Sequence, residues 1–236
     1  AEPEEVLDFV LKKFGSSSKL HGKKVLITAG PTIEYIDPVR VITNQSTGKT
    51  GVLLAADLVS AGAKVTLIYG PGREPPPKGV KLVRVETSKE MFDAVRKEMK
   101  PKFDIVILAA AVSDYTPERL NKTKIKSIPN KILIKLKRAP KIIDMIKKIQ
   151  KDVFLVGFKA ETNTSREKLI NEARKKLKES KADLIVANDI GLKKYRERPN
   201  YNNVIVVDVK KAIQSGWKNK STIAKFIRKQ IEDRVR

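Results

Sequence analysis

The 236-residue sequence predicts an α/β protein built on a doubly wound, mostly parallel sheet. Three observations carry that expectation. Short β-branched apolar runs end in Gly, Pro or polar clusters, segments with helical apolar spacing lie between them, and the two kinds alternate along almost the whole chain.

At the start, Val6, Leu7, Val10, Leu11 and Phe14 recur at helical spacing after Pro3 and stop at Gly15-Ser16-Ser17-Ser18. This predicts an N-terminal helix and linker over residues 1–20, with one α/β domain over 21–236. Lys24 to Ala29 reads as a buried strand, Gly48 to Ala61 as a helix with Val52, Ala55, Ala56 and Val59 on one face, and Lys64 to Tyr69 as the next strand. A proline-rich loop precedes a strand Val80 to Val85. A helix Ser88 to Met99, with Phe92, Val95 and Met99 inward, leads to a strand Asp104 to Ala109. From Arg119 to Lys141 there are nine Lys/Arg and no acid, around an alternating strand Ile132 to Leu136. Then come a helix Lys141 to Ile149, a strand Val153 to Phe158, a helix Ser165 to Glu179, strands Asp183 to Ala187 and Asn203 to Val209, and a closing amphipathic helix with Ile223, Ile227 and Ile231. The sum is a Rossmann-like sheet with a basic flap and a small antiparallel extension.

Composition narrows the chemistry. Fifty Lys+Arg against 27 Asp+Glu give a net charge of +23, which favours anionic partners. With no Cys and one His, thiolate nucleophiles, Cys/His zinc sites and most Ser-His-Asp triads are excluded. The same cysteine-free, Lys/Arg/Ile/Val-rich composition is that of heat-adapted proteins. No apolar run approaches the ~20 residues of a membrane span, and the acidic start lacks a signal-peptide n-region, so a cytoplasmic location is expected.

Ligands of open α/β sheets bind beyond the carboxyl ends of the strands, so the loops there are the candidate site. After the first strand come Gly30-Pro31-Thr32, then Asp37-Pro38-Val39-Arg40 and Asn44-Gln45-Ser46-Thr47-Gly48, which precede a helix start able to hold a phosphate or simply to be capped. Gly48-Lys49-Thr50 imitates the end of a P-loop, but the first glycine of that motif would fall at Thr43. Ala109 to Tyr115 offers small residues for close ligand approach, with Asp114 suited to a metal or a ribose. Gly157 to Thr162 places Phe158 at a strand end, where it can pack on a base or in the core, and Ala187-Asn188-Asp189 closes a strand with a ligand contact or an Asx turn.

Together with Lys124-Ile125-Lys126, these loops resemble, in order, the signature elements of the phosphopantothenoylcysteine synthetase (phosphopantothenate–cysteine ligase) family of coenzyme A biosynthesis. The resemblance runs from about Lys23 to the C-terminal helix. It implies that 4′-phosphopantothenate attacks the α-phosphate of CTP, or of ATP, and that L-cysteine then displaces the nucleotide from an acyl-nucleotidyl intermediate. By the same resemblance, Asn44 would hold the acyl intermediate, with Ala110 and Arg40 beside the acyl substrate. Gly30, Ser46, Thr47 and Gly48 would receive phosphate, and Ala111, Ser113, Tyr115 and Phe158 would surround the base. Asp114 would face a Mg²⁺, and Lys124, on a mobile flap, would close over the intermediate. The resemblance further implies a homodimer and fusion to a flavin-dependent decarboxylase, the N-terminal helix and linker being the remnant of that junction.

Three positions depart from the family pattern. Thr47 and Thr50 replace a Ser and a Met, which leaves a hydroxyl at 47, whereas Ser127 removes a flap cation that Lys122 or Lys126 would have to replace. Rival readings are weaker. A nicotinamide-dependent oxidoreductase lacks its G-x-G-x-x-G after the first strand, and a nucleic-acid-binding module lacks aromatics within the basic run, so neither dinucleotide nor nucleic acid is expected as a partner.

Overall fold

The computed structural model describes residues 2, 18–126, 131–191 and 193–235. The expected N-terminal helix and the Ser127 departure lie outside the described residues. The chain forms β1 (Lys24–Ala29), β2 (Ile33–Tyr35), β3 (Val41–Thr43), α1 (Lys49–Ser60), β4 (Lys64–Tyr69), β5 (Lys81–Arg84), α2 (Ser88–Glu98), β6 (Ile105–Leu108), β7 (Tyr115–Pro117) and β8 (Leu136–Arg138). There follow α3 (Ile143–Ile149), β9 (Phe154–Glu161), α4 (Arg166–Ser180), β10 (Leu184–Asp189), α5 (Lys193–Glu197), β11 (Tyr201–Asn202), β12 (Val204–Val207), β13 (Ala212–Gln214), β14 (Lys218–Asn219) and α6 (Lys220–Glu232).

The main sheet has eight strands in the order β13-β12-β10-β9-β6-β1-β4-β5. From β10 to β5 every neighbouring pair is parallel, and β12 and β13 add antiparallel strands at one edge. This is the expected mostly parallel α/β sheet. The chain moves outward from β1 through β4 to β5, then returns to place β6 on the other side of β1. The crossovers leave β1 and β6 in opposite directions, the arrangement in which open α/β sheets take ligands in a crevice beyond the strands' carboxyl ends.

Two apolar layers sandwich the sheet. Val25 and Ile27 of β1 belong to one layer with Leu54, Ala55 and Leu58 of α1 and Ile223, Ile227 and Ile231 of α6, whereas Leu26 belongs to the other with Met91 and Val95 of α2 and Leu169, Ala173 and Leu177 of α4. Each fully buried Leu or Ile contributes roughly 1.5–3 kcal/mol. On α1 the buried stripe is Val52, Leu54, Ala55 and Leu58 rather than the expected Ala56 and Val59, because α6 as well as the sheet covers this helix. In α2, Met91 joins Val95 inside while Phe92 is only partly covered. The closing helix is amphipathic as expected, with its three isoleucines fully buried.

The basic stretch supplies one strand of a hairpin, since β7 pairs with β8 through Tyr115↔Arg138 and Pro117↔Leu136. The strand expected at Ile132 to Leu136 therefore sits later in the chain. Alternation proposes a strand, but register is set by the partner, and here the partner is Tyr115 to Pro117.

Candidate active site

The floor of the crevice is backbone. The Ala111 N–H donates to the Gly30 carbonyl at 2.9 Å, the Thr32 N–H donates to the Ala111 carbonyl at 3.3 Å, and Pro31 and Ala111 form an isolated parallel bridge. Thr32 is fully buried and braces three segments: its Oγ1 accepts from the Ser113 N–H at 3.0 Å and its carbonyl accepts from Thr43 Oγ1 at 2.8 Å. Ala110 is anchored in the same way, its N–H donating to Thr28 Oγ1 at 3.3 Å.

Asn44 sits over this floor. Its Nδ2 donates to the carbonyls of Ala111 and Val112 at 3.0 and 3.2 Å, so the loop after β3 and the loop after β6 are joined through one exposed amide. Its Oδ1 is left for another partner. Next along the chain, Ser46 Oγ and Thr47 Oγ1 accept from the Gly48 and Lys49 N–H groups, both at 3.3 Å. Gly48 caps α1 with φ 82° and no side-chain hydrogen bond, and among the described residues the N–H groups of Thr50 and Gly51 have no partner. Unsatisfied amides at the positive end of a helix suit an anion.

Glycines make this geometry possible. A Cβ on Gly48 would lie 2.9 Å from the ring of Tyr69 and 3.1 Å from the Gly30 Cα, and one on Gly51 would lie 2.6 Å from the Ala29 Cβ. The first turn of α1 thus rests directly on the end of β1. Tyr69 is buried, and its hydroxyl donates to the Glu74 carbonyl at 2.8 Å and accepts from the Glu74 N–H at 3.2 Å, with burial pushing the phenol's pKa up.

The β6 loop presents Asp114 with an exposed side chain, and its backbone carbonyl accepts from the Ala139 N–H at 2.9 Å. Among the described residues no group of three or more His, Cys, Asp and Glu could hold a metal. A lone carboxylate is suited to share a Mg²⁺ with phosphate oxygens rather than to cage one. Ser113 differs from expectation: it is buried and its Oγ donates inward to the Tyr115 carbonyl at 2.7 Å. Tyr115 is 47% exposed at the crevice rim. Phe158 lies inside β9 rather than at its end, because β9 continues to Glu161 along β10. It is still one step beyond the last β6–β9 pair, Leu108↔Gly157, and half-buried, so it borders the crevice.

Arg40 and Lys124 stand apart from Asn44. Arg40 closes the β2–β3 hairpin and lies at the other end of β3 from Asn44, roughly 13 Å along an extended strand. Its Nη1 donates to Asp37 Oδ2 and, at 3.3 Å, to the Ile125 carbonyl. Asp37 is fully buried and its two oxygens also accept from the N–H groups of Val39, Arg40 and Ile125. Burial pushes its pKa up, but these amides and the Arg40 guanidinium prevail and hold it at about 2. Lys124, next to Ile125, is exposed, so in a single chain it lies by the hairpin tip. The sequence showed the Asp37 to Arg40 motif but not that Asp37 clamps the basic loop, a contact spanning 88 positions.

Asp189 is structural. Its carboxylate accepts from the N–H groups of Asn163, Thr164 and Gly191 at 3.0, 2.8 and 2.8 Å, the last being an Asx turn. Asn188 is buried, with only a 3.4 Å contact from its Nδ2 to Asn202 Oδ1. Among the described residues no helix is long and apolar enough to cross a membrane.

Known proteins share this fold and much of this sequence. The chain is 47% identical over 192 residues to the coenzyme A biosynthesis bifunctional protein CoaBC of Thermococcus kodakarensis, covering 80% of this chain and 47% of that protein. It is 41% identical to the CoaBC of Methanocaldococcus jannaschii over 190 residues, covering 80% and 46%. The chain thus spans about half the length of the curated relatives it matches. A solved C-terminal domain of a CoaBC protein superimposes with TM-score 0.76 at 36% identity, covering 92% of this chain and 97% of that domain. With residues 20–235 matching the family as well, the chain belongs to the DNA/pantothenate metabolism flavoprotein C-terminal domain family, to which the ligase domain of CoaBC proteins belongs.

Proposed function

We propose that this chain is a phosphopantothenate–cysteine ligase of coenzyme A biosynthesis, using CTP. The observation that carries the reading is the match to 97% of a CoaBC C-terminal domain, in a chain whose crevice offers backbone donors, the Asn44 amide and one carboxylate in place of a nucleophile. Such a crevice suits a reaction between bound polyanions, in which charge stabilisation and positioning do most of the work.

In the first step a carboxylate oxygen of 4′-phosphopantothenate attacks the α-phosphorus of CTP, the bond to the β-phosphate breaks, and pyrophosphate leaves. In the second, the amine nitrogen of L-cysteine attacks the acyl carbonyl, the acyl–phosphate bond breaks, and CMP leaves as the amine loses its proton. The α1 N-terminus with Ser46, Thr47 and Gly48 receives phosphate, and Gly30 and the Ala110–Ala111 floor let the substrates approach the backbone. Asn44 orients the acyl intermediate, and Tyr115 and Phe158 border the base. Asp114 would share a Mg²⁺ with the triphosphate, where the ion would neutralise developing charge. Ser113 acts through its loop, since its hydroxyl is spent inward.

Arg40 and Lys124 complete the site in a homodimer. Support comes from the hairpins that carry them: Val39 and Val41 are 65% and 41% exposed, and Leu133 and Leu136 are 87% and 44% exposed. An apolar surface of this kind favours a second copy. Light scattering should give twice the chain mass, and Leu136→Glu should give the monomer. The reading also extends to a cytoplasmic enzyme fused to a flavin-dependent decarboxylase, and to heat adaptation, which a melting temperature above about 90 °C would support.

The central test mixes protein, Mg²⁺, 4′-phosphopantothenate and L-cysteine with CTP or ATP. CMP and pyrophosphate should form only when phosphopantothenate is present, with CTP the better nucleotide. CDP and inorganic phosphate would instead mean an acyl-phosphate route.

A further inference from the structure

Beside the first turn of α1 lies a second positive group that no step above uses. Lys220, the first residue of α6, is only 9% exposed, yet among the described residues its ammonium makes no hydrogen bond or ion pair. The Tyr195 ring lies beside it, with its centroid 5.5 Å from Nζ. The Lys220 backbone N–H donates to the Asn200 carbonyl at 2.8 Å, and the side-chain Oδ1 of that same asparagine accepts from Lys49 Nζ at 2.7 Å. Asn200 therefore ties the start of α6 to the lysine that opens α1.

Holding an ammonium largely out of water with no hydrogen-bond acceptor is unfavourable even where its tip keeps some contact with solvent, and a second ammonium and a helix N-terminus nearby make it more so. Burial first, then the charge of Lys49, holds the Lys220 ammonium below the usual lysine range, and Glu74 only partly offsets them. Packing alone would be better served by Leu or Met. An arriving anion reverses every unfavourable term, pairing with both lysines and the free amides of Thr50 and Gly51.

We propose that Lys220, Lys49 and the first turn of α1 form a binding site for a phosphoryl group, with Asn200 holding the two lysines in place. The anion site stands on the geometry alone; only the source of its phosphate, the CTP tail or the phosphomonoester of phosphopantothenate, rests on the ligase reading.

The first test leaves the protein unaltered. In ¹³C spectra of protein labelled at lysine Cε, with the signal assigned through Lys220→Arg, inorganic pyrophosphate should shift Lys220 and Lys49 and leave the exposed Lys225 in place. No shift at Lys220 at saturating pyrophosphate overturns the proposal. The second test is calorimetric. Lys220→Met should bind pyrophosphate about 10-fold more weakly or worse, the scale of one lost charge-assisted hydrogen bond, and Lys220→Arg should recover part of it. A loss for CTP that is not shared by CMP assigns the site to the triphosphate tail. A loss for phosphopantothenate that is not shared by pantothenate assigns it to the phosphomonoester. Unchanged affinity of folded Lys220→Met for all of these probes overturns the site, whereas a Lys220 shift in a protein that makes no amide keeps the site and removes the ligase reading.

Discussion

Asn44 Nδ2 is shared between the carbonyl oxygens of Ala111 and Val112, which makes one side chain the link between the loops that follow β3 and β6. Both acceptors are carbonyls, so the amide is oriented with Oδ1 away from the floor. Asn44→Ala should lower turnover by ~10²-fold or more while CTP affinity changes little, the scale of losing one pre-organised polar group. Asn44→Asp should be at least as damaging, because a carboxylate would face two carbonyls. Steady-state kinetics with a separate measurement of nucleotide affinity decides; near-normal turnover in Asn44→Ala would remove it from the site.

The Asp37 clamp should be visible in acid. Its pKa is lowered from 3.8 to about 2 on folding, so its contribution to stability is complete above pH 3.8 and is lost as pH falls through about 2. Asp37→Asn cannot accept from Arg40 and three amides as a carboxylate does. The variant should be less stable at neutral pH, with a difference from wild type that shrinks between pH 4 and pH 2. Chemical denaturation at a series of pH values measures this, and a constant difference would contradict the assignment.

Gly48 should tolerate no side chain. Its φ of 82° disfavours any L residue, and the added Cβ would meet Tyr69 at 2.9 Å. Gly48→Ala should cost about 2–4 kcal/mol, combining backbone strain with overpacking. Gly216, at φ 70° and with nothing within 4 Å of where a Cβ would sit, should show only the backbone part, about 1–2 kcal/mol on substitution by Ala. Urea midpoints of the two variants separate strain from contact.

Lys124 tests the flap. Lys124→Gln removes the charge at similar length, and the segment remains anchored through Ile125 to Asp37. The variant should form the acyl-nucleotide but pass it slowly to cysteine, so that intermediate accumulates. Rapid-quench separation of pyrophosphate release from amide formation checks this; equal slowing of both steps, or of neither, returns Lys124 to an ordinary solvated lysine.

Much of the architecture is determined by the sequence alone, because β1, β4, β6, β9 and β10 are apolar runs buried by two layers of helices, and local composition reports that burial directly. The helix starts at Thr87 and Ser165 are likewise local, each side chain accepting from an N–H three residues on. The glycines and hydroxyls before α1 were legible for the same reason. What lay beyond reading were contacts between distant positions: the two- and three-residue strands β2, β3, β7, β11 and β14, whose existence depends on a partner, and the register that put β8 at Leu136. Asn44 meets Ala111 across 67 positions, and Lys49 meets Asn200 across 151. In the sequence Lys220 is one of 50 cationic residues; only the packing of α6 against α1 buries it and brings it beside a helix N-terminus. The burial of a charged side chain and its nearness to a second lysine come from the packing of distant segments, whereas the burial of an apolar run is already written in its local composition.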